Sequence, residues 1–148
     1  MAGQQPDPAR PTGWAHFEHV ADVGVRGWGP SPAAAFEQAA RALTAVICAP
    51  QRVLPRKTVA VSCTASDPEI LLVDWLNALI FEMSTRRMLF SRFSVMIEDG
   101  RLTGRASGET VDPPRHRPAT EVKGATFSEL AVTQSPDGQW TAQCILDV

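Results

Sequence analysis

Ser66-Asp67-Pro68-Glu69-Ile70-Leu71-Leu72-Val73-Asp74-Trp75-Leu76-Asn77-Ala78-Leu79-Ile80-Phe81-Glu82-Met83 is the stretch whose reading decides the fold. Ser66 is placed to cap a helix, Glu69 three residues on to bond back, and Asp67 to favour the positive helix end. Leu71, Leu72, Trp75, Leu76, Leu79, Ile80 and Met83 then carry more apolar surface than a water-facing helix tolerates. The spacing predicts a central buried helix. Asp74 and Asn77 lie one turn apart on its thin polar stripe.

Working outward, the residues just before this helix alternate: Val59, Val61, Cys63 and Ala65 fall on one face, which predicts a strand over 57–65. Further upstream, Ser31-Pro32 opens another helix, with Ser as cap and Pro at the first helical position. Phe36, Ala39, Ala40, Leu43, Val46 and Ile47 give it one apolar stripe, and Pro50 and Pro55 stand beyond its end. From Phe17 to Val25 the period is two again, read as one extended segment or as two strands broken near Ala21-Asp22. In an unbroken strand Asp22 shares a face with His16 and Glu18, and His19 points the other way.

Downstream, Phe93, Val95 and Ile97 alternate, and Asp99-Gly100 is a hairpin signal. Arg101 to Val111 returns as a strand, with Gly104 and Gly108 marking bulges or close approaches. Asp112 to Pro118 reads as a stiff loop that leaves His116 exposed. Glu121 to Thr133 reads as a further strand, turned at Pro136-Asp137-Gly138. Trp140, Ala142, Cys144, Leu146 and Val148 form one face of the last strand, with Asp147 on the other. The sum is an α+β domain, an antiparallel or mixed sheet with two helices packed on one face, over 14–148. Residues 1–13, rich in Pro, Gln and small side chains, are expected to form a disordered tail.

Composition narrows the function classes. The 148 residues, 44% of them hydrophobic, suit one core, and 14 Lys+Arg against 16 Asp+Glu give a net charge of -2. No basic excess is available for neutralising many phosphates, so any RNA contact is expected to be weak or indirect. Cys48, Cys63 and Cys144 are widely spaced in apolar surroundings without a C-x-x-C, which fits reduced thiols in a cytoplasmic protein. Residues 1–13 contain no apolar run resembling a signal peptide, and no segment approaches the roughly 18 consecutive apolar residues of a membrane span.

Neither a Ser/His/Asp or Cys/His set in recognisable context nor a phosphate-binding glycine loop is present. His16, His19 and Asp22 have spacing that suggests ligands, but positions 16 and 19 oppose each other on a continuous strand. Asp22 sits among Ala21, Val23 and Gly24, where backbones pack closely. Asp147 is its counterpart at the far end of the chain, next to the α-carboxylate of Val148. Gathered together, these three carboxylates repel unless a cation binds, and oxygen ligands alone suit Ca²⁺ or Mg²⁺ over Zn²⁺. Two surface acids and a loose terminus are the plainer alternative.

An ordered set of short motifs goes further. His19-Val20-Ala21-Asp22-Val23-Gly24-Val25-Arg26, Ala35-Phe36-Glu37-Gln38-Ala39-Ala40 and Leu71-Leu72-Val73-Asp74-Trp75-Leu76-Asn77 come first. Gly108-Glu109 with His116, Glu121-Val122-Lys123-Gly124-Ala125-Thr126 and Ile145-Leu146-Asp147-Val148 follow. In this order, from Trp14 to Val148, the chain resembles the archease family. Val20 stands where Thr is common, Gly124 where Ala is common, and Phe127-Ser128 where Tyr-His is common.

The resemblance implies an accessory protein of tRNA splicing and RNA repair, not itself an enzyme and with no catalytic residues of its own. Its partner would be an RtcB-type RNA ligase, whose guanylylation and multiple turnover it promotes. The implied cofactor is a divalent metal, Ca²⁺ with Mg²⁺ or Mn²⁺ as alternatives, on Asp22, Asp147 and Val148. Asp74, Glu109, His116 and Lys123 belong to the motifs without an assigned role. A chaperone-like interaction module and a metal-dependent phosphoesterase are the rival readings.

Overall fold

The computed structural model describes residues 11–19 and 21–148. Most of the tail expected over 1–13 lies outside the described residues, and Gly13 already begins a strand. The strands split into two sheets in which every described pairing is antiparallel. The first contains β1 (Gly13–His19), β2 (Asp22–Gly29), β6 (Gly124–Ala125), β7 (Ala131–Gln134) and β8 (Trp140–Asp147). The second contains β3 (Lys57–Thr64), β4 (Met88–Glu98) and β5 (Arg101–Thr110), in the order β3-β5-β4. In the first sheet the order is β1-β2-β8, with β6 and β7 both on the far edge of β8. The α+β class therefore stands, built on two antiparallel sheets.

Helix α1 (Pro32–Ile47) starts as its sequence dictates, with the Ser31 side chain accepting from Ala34 N–H at 3.1 Å. Its apolar stripe crosses β2 at Gly27, where a Cβ would run into the backbone of Ala35 and Ala39. A glycine is required there because helix and strand backbones nearly touch. The polar side of α1 closes the outer edge of β4. Glu37 Oε2 accepts from Val95 N–H at 2.8 Å, Arg41 Nη1 donates to Ser91 O at 2.8 Å, and Thr44 Oγ1 donates to Phe90 O at 2.6 Å.

Helix α2 (Pro68–Arg86) is capped by Asp67, whose carboxylate accepts from Glu69 N–H at 2.8 Å, one residue later than the Ser66 cap expected from sequence. Asp67 is the better-placed acceptor because Pro68 then occupies the first helical position. Trp75 is fully buried, donates Nε1–H to Phe36 O at 3.1 Å, and meets Phe93 edge-on at 6.3 Å. Gly104 of β5 makes room for its ring. Asp99 (φ 50°) and Gly100 (φ 74°) form the β4–β5 turn that their sequence announced.

Two expectations need correcting. The segment read as one strand over 121–133 is two short strands, β6 and β7, separated by a turn around Phe127–Leu130. The supposed loop Asp112–Pro118 contains one helical turn, α3 (Pro113–His116), whose His116 is 1% exposed.

Candidate metal centre

Among the described residues β1 ends at His19 and β2 begins at Asp22, with Ala21 in the left-handed region at φ 64°. The strand is thus broken, and the ladder pairs His19 with Asp22. This reverses the face assignment for an unbroken strand. His19 lies on Asp22's side of the sheet, whereas His16 pairs with Val25 and turns inward, its Nε2 lying 2.9 Å from Ala42 O of α1. Gly24 faces Phe17 across the hairpin, and a Cβ there would enter the ring. Arg26 stacks its guanidinium 4.7 Å above the same ring and donates Nε–H to Gln143 Oε1 of β8 at 2.9 Å.

β8 lies along the other side of β2. Their register runs from Gly29↔Trp140 to Val23↔Leu146. Asp22 and Asp147 each stand one residue beyond that last pair, so the ladder carries the two acids to neighbouring positions although they lie 125 positions apart in the sequence. On the far side Asp147 pairs with Gly124 of β6, and its carbonyl accepts from Lys123 N–H at 2.8 Å. Asn77 of α2 holds β6 in place: its Oδ1 accepts from Ala125 N–H at 2.8 Å and its Nδ2 donates to Ala125 O at 3.4 Å. Leu146 is fully buried beneath, and the Val148 side chain packs against the core.

Asp147 is exposed and Asp22 half-buried. Among the described residues neither carboxylate takes part in a side-chain hydrogen bond or ion pair, and Lys123 is exposed. No group of three or more His, Cys, Asp and Glu side chains among the described residues is arranged to hold a metal ion. The set expected from sequence has only two such side chains, its third member being the α-carboxylate of Val148. Cross-strand carboxylates with no other partner are hard oxygen donors, which fits Ca²⁺, Mg²⁺ or Mn²⁺ by chemistry.

The other motif residues gather elsewhere. Glu109 and His116 are both buried. Glu109 Oε2 accepts from Leu54 N–H at 2.6 Å and lies 3.1 Å from His116 Nε2, while Oε1 accepts from Arg115 Nη2 at 2.5 Å. His116 Nδ1 accepts from Asp112 N–H at 2.8 Å, so the imidazole proton sits on Nε2 and points at Glu109. The Arg115 hydrogen bond leads in holding the Glu109 carboxyl at about 2, with Leu54 N–H and His116 adding to it. Arg115 also donates to Arg52 O at 2.8 Å. This cluster ties the 50–54 segment and α3 to the end of β5, and every buried polar side-chain atom in it is satisfied. The position of His116 amid Pro and Arg hid its burial from a sequence reading. Asp74 is exposed on α2 and acts at a distance on Cys63, whose thiol is pushed up first by burial and then by the Asp74 charge.

Comparison with known proteins decides the family. The sequence matches the Archease protein family (MTH1598/TM1083) over residues 14–148. The chain belongs to the archease family. Its relatives include protein archease of Pyrococcus furiosus, 37% identical over 139 residues, covering 91% of this chain and 98% of the relative. That of Sulfurisphaera tokodaii is 38% identical over 118 residues, covering 78% and 85%. Among solved structures, Methanobacterium thermoautotrophicum protein 1598 superposes with a TM-score of 0.80 at 35% identity, covering 92% of this chain and 99% of that one. An archease of Thermotoga maritima, described as a possible chaperone, shares the fold with a TM-score of 0.60 at 17% identity over 98% of both chains. In this archease the front motif and the closing motif lie side by side, and Glu109 and His116 form a separate structural clamp. No helix among the described residues is long and apolar enough to cross a membrane.

Proposed function

We propose that this archease is a cytoplasmic accessory protein that activates an RtcB-type RNA ligase in tRNA splicing and RNA repair, without catalysing a reaction itself. The observation that supports this most is the β2–β8 register, which brings Asp22 and Asp147 to adjacent ladder positions from opposite ends of the chain. Asp22, Asp147 and the α-carboxylate of Val148 are the proposed ligands of a divalent cation, with Ca²⁺ first and Mg²⁺ or Mn²⁺ as alternatives. When bound, such a cation supplies charge neutralisation for a nucleotide phosphate. The chain's own contribution is positional. Asn77 fixes β6, β6 and β2 flank β8, and the acids stand at the exposed end of that ladder, where a ligase could reach them.

The deciding experiment is ligase guanylylation from GTP with wild type, Asp22→Ala and Asp147→Ala, alongside circular dichroism and calcium titration. Both variants should fold, bind Ca²⁺ at least tenfold more weakly and fail to stimulate the ligase. Full stimulation by both would remove the site assignment, and stimulation independent of the acids would favour a chaperone-like module. Phosphoester turnover by the protein alone would favour a hydrolase.

A further inference from the structure

The two outer edges of the three-stranded sheet are treated differently. Side chains of α1 bond to the outer edge of β4 at Phe90, Ser91 and Val95. Among the described residues β3 pairs only with β5. Ala65 N–H donates to Gly100 O at 2.9 Å, and Cys63↔Leu102, Val61↔Gly104 and Val59↔Ala106 continue that ladder. In an antiparallel pair, alternate residues direct both backbone groups at the same neighbour. The odd-numbered residues therefore bond to β5, and the N–H and C=O groups of Thr58, Ala60, Ser62 and Thr64 point outward. All four are exposed, and no hydrogen bond among the described residues reaches this edge from outside the sheet. From Thr58 to Thr64 there is no charge, proline or glycine, the devices that ordinarily blunt an open edge.

We propose that the open edge of β3 pairs with β3 of a second copy of this chain, antiparallel about a twofold axis at Val61. The two three-stranded sheets then become one continuous sheet. In this register Ala60 stands opposite Ser62 and Thr58 opposite Thr64, so all four outward residues of each copy exchange backbone hydrogen bonds. Val61 meets Val61 and Val59 meets Cys63 on the apolar side, while hydroxyl and methyl groups meet on the exposed side. Lys57 falls opposite Ala65, so no like charges oppose. Centring on Ala60 or Ser62 leaves an outward residue unpaired, and a one-residue slip of one strand turns its bonding groups away from the partner. The strand's own sequence is thus its complement, which favours a second copy over an unrelated extended segment. A contact made mostly of backbone bonds, with little apolar area, gives a weak dimer.

Sedimentation equilibrium of the full chain up to about 1 mM, with amide hydrogen exchange followed in parallel, tests this. Wild type should pass from monomer to dimer across that range, and the amides of Thr58, Ala60, Ser62 and Thr64 should exchange more slowly as concentration rises. Ala60→Lys and Ser62→Lys, at exposed positions, should weaken the dimer at least tenfold with unchanged circular dichroism. Ser94→Lys, on the strand that α1 closes, should leave association as in wild type. A protein that stays monomeric at about 1 mM would overturn the proposal, as would a dimer that survives both β3 lysines or exchange at these four amides that ignores concentration. Protection of those amides only on adding another protein would also overturn it, and would give the edge to that partner.

Discussion

His116 points its Nε2–H at Glu109 Oε2 across 3.1 Å, and both side chains are buried. The carboxylate is the hub of a clamp that reaches Leu54, Arg115 and, at 3.7 Å, Arg56. Removing the hub strands a histidine proton and a backbone N–H together. Glu109→Ala should therefore lower unfolding free energy by about 1–3 kcal/mol, the scale of leaving buried polar groups without a partner. Urea denaturation of the two proteins measures it.

The same carboxyl gives the acid limb of stability a defined shape. Its folded pKa, about 2, lies below the unfolded value of roughly 4.3, so the unfolded chain binds more protons between them. The stabilisation is complete above the unfolded value and is lost as pH falls toward about 2. Glu109→Gln should flatten this part of the stability–pH curve, which thermal melts from pH 5 down to pH 2 would reveal.

Asn77 joins the buried helix to the candidate metal centre through its two bonds to Ala125. Asn77→Ala should cost about 1 kcal/mol of stability. Because β6 then loses its hold beside Asp147, calcium affinity should fall as well, and titration calorimetry separates this from the change in melting temperature.

Converting the α-carboxylate of Val148 to an amide, by appending residues, should weaken divalent-ion binding while leaving the melt unchanged. An unaltered dissociation constant would count against that ligand.

Thiol reactivity should follow burial. Cys144 is fully buried, with its pKa pushed up to about 12 mainly by desolvation, and Cys48 is also buried and raised. Cys63 is half-buried. Alkylation of the native protein at pH 8 should label Cys63 first and Cys144 last, read by mass spectrometry.

The elements were legible where their chemistry is local. Ser31-Pro32 announced α1, the apolar density of 71–83 announced a buried helix, and Asp99-Gly100 announced its turn. The break between β1 and β2 was not decided, because Ala21 adopts a positive φ without being glycine or asparagine. That turn moves His19 to Asp22's side and His16 away from it. The burial of His116 was illegible because it depends on Glu109, seven residues earlier on another element. Asp22 and Asp147 could be singled out as acids, but only the β2–β8 pairing puts them in neighbouring rows.

Gly27 lies five residues along β2 from Asp22, with α1 pressed on its backbone. The acid is therefore the tip of a ruler clamped partway along its length. A methyl group at Gly27 forces helix and strand apart, costing about 1–3 kcal/mol by overpacking. Because the lever carries that displacement outward, Gly27→Ala should loosen calcium binding at a distance, with no change to any ligand.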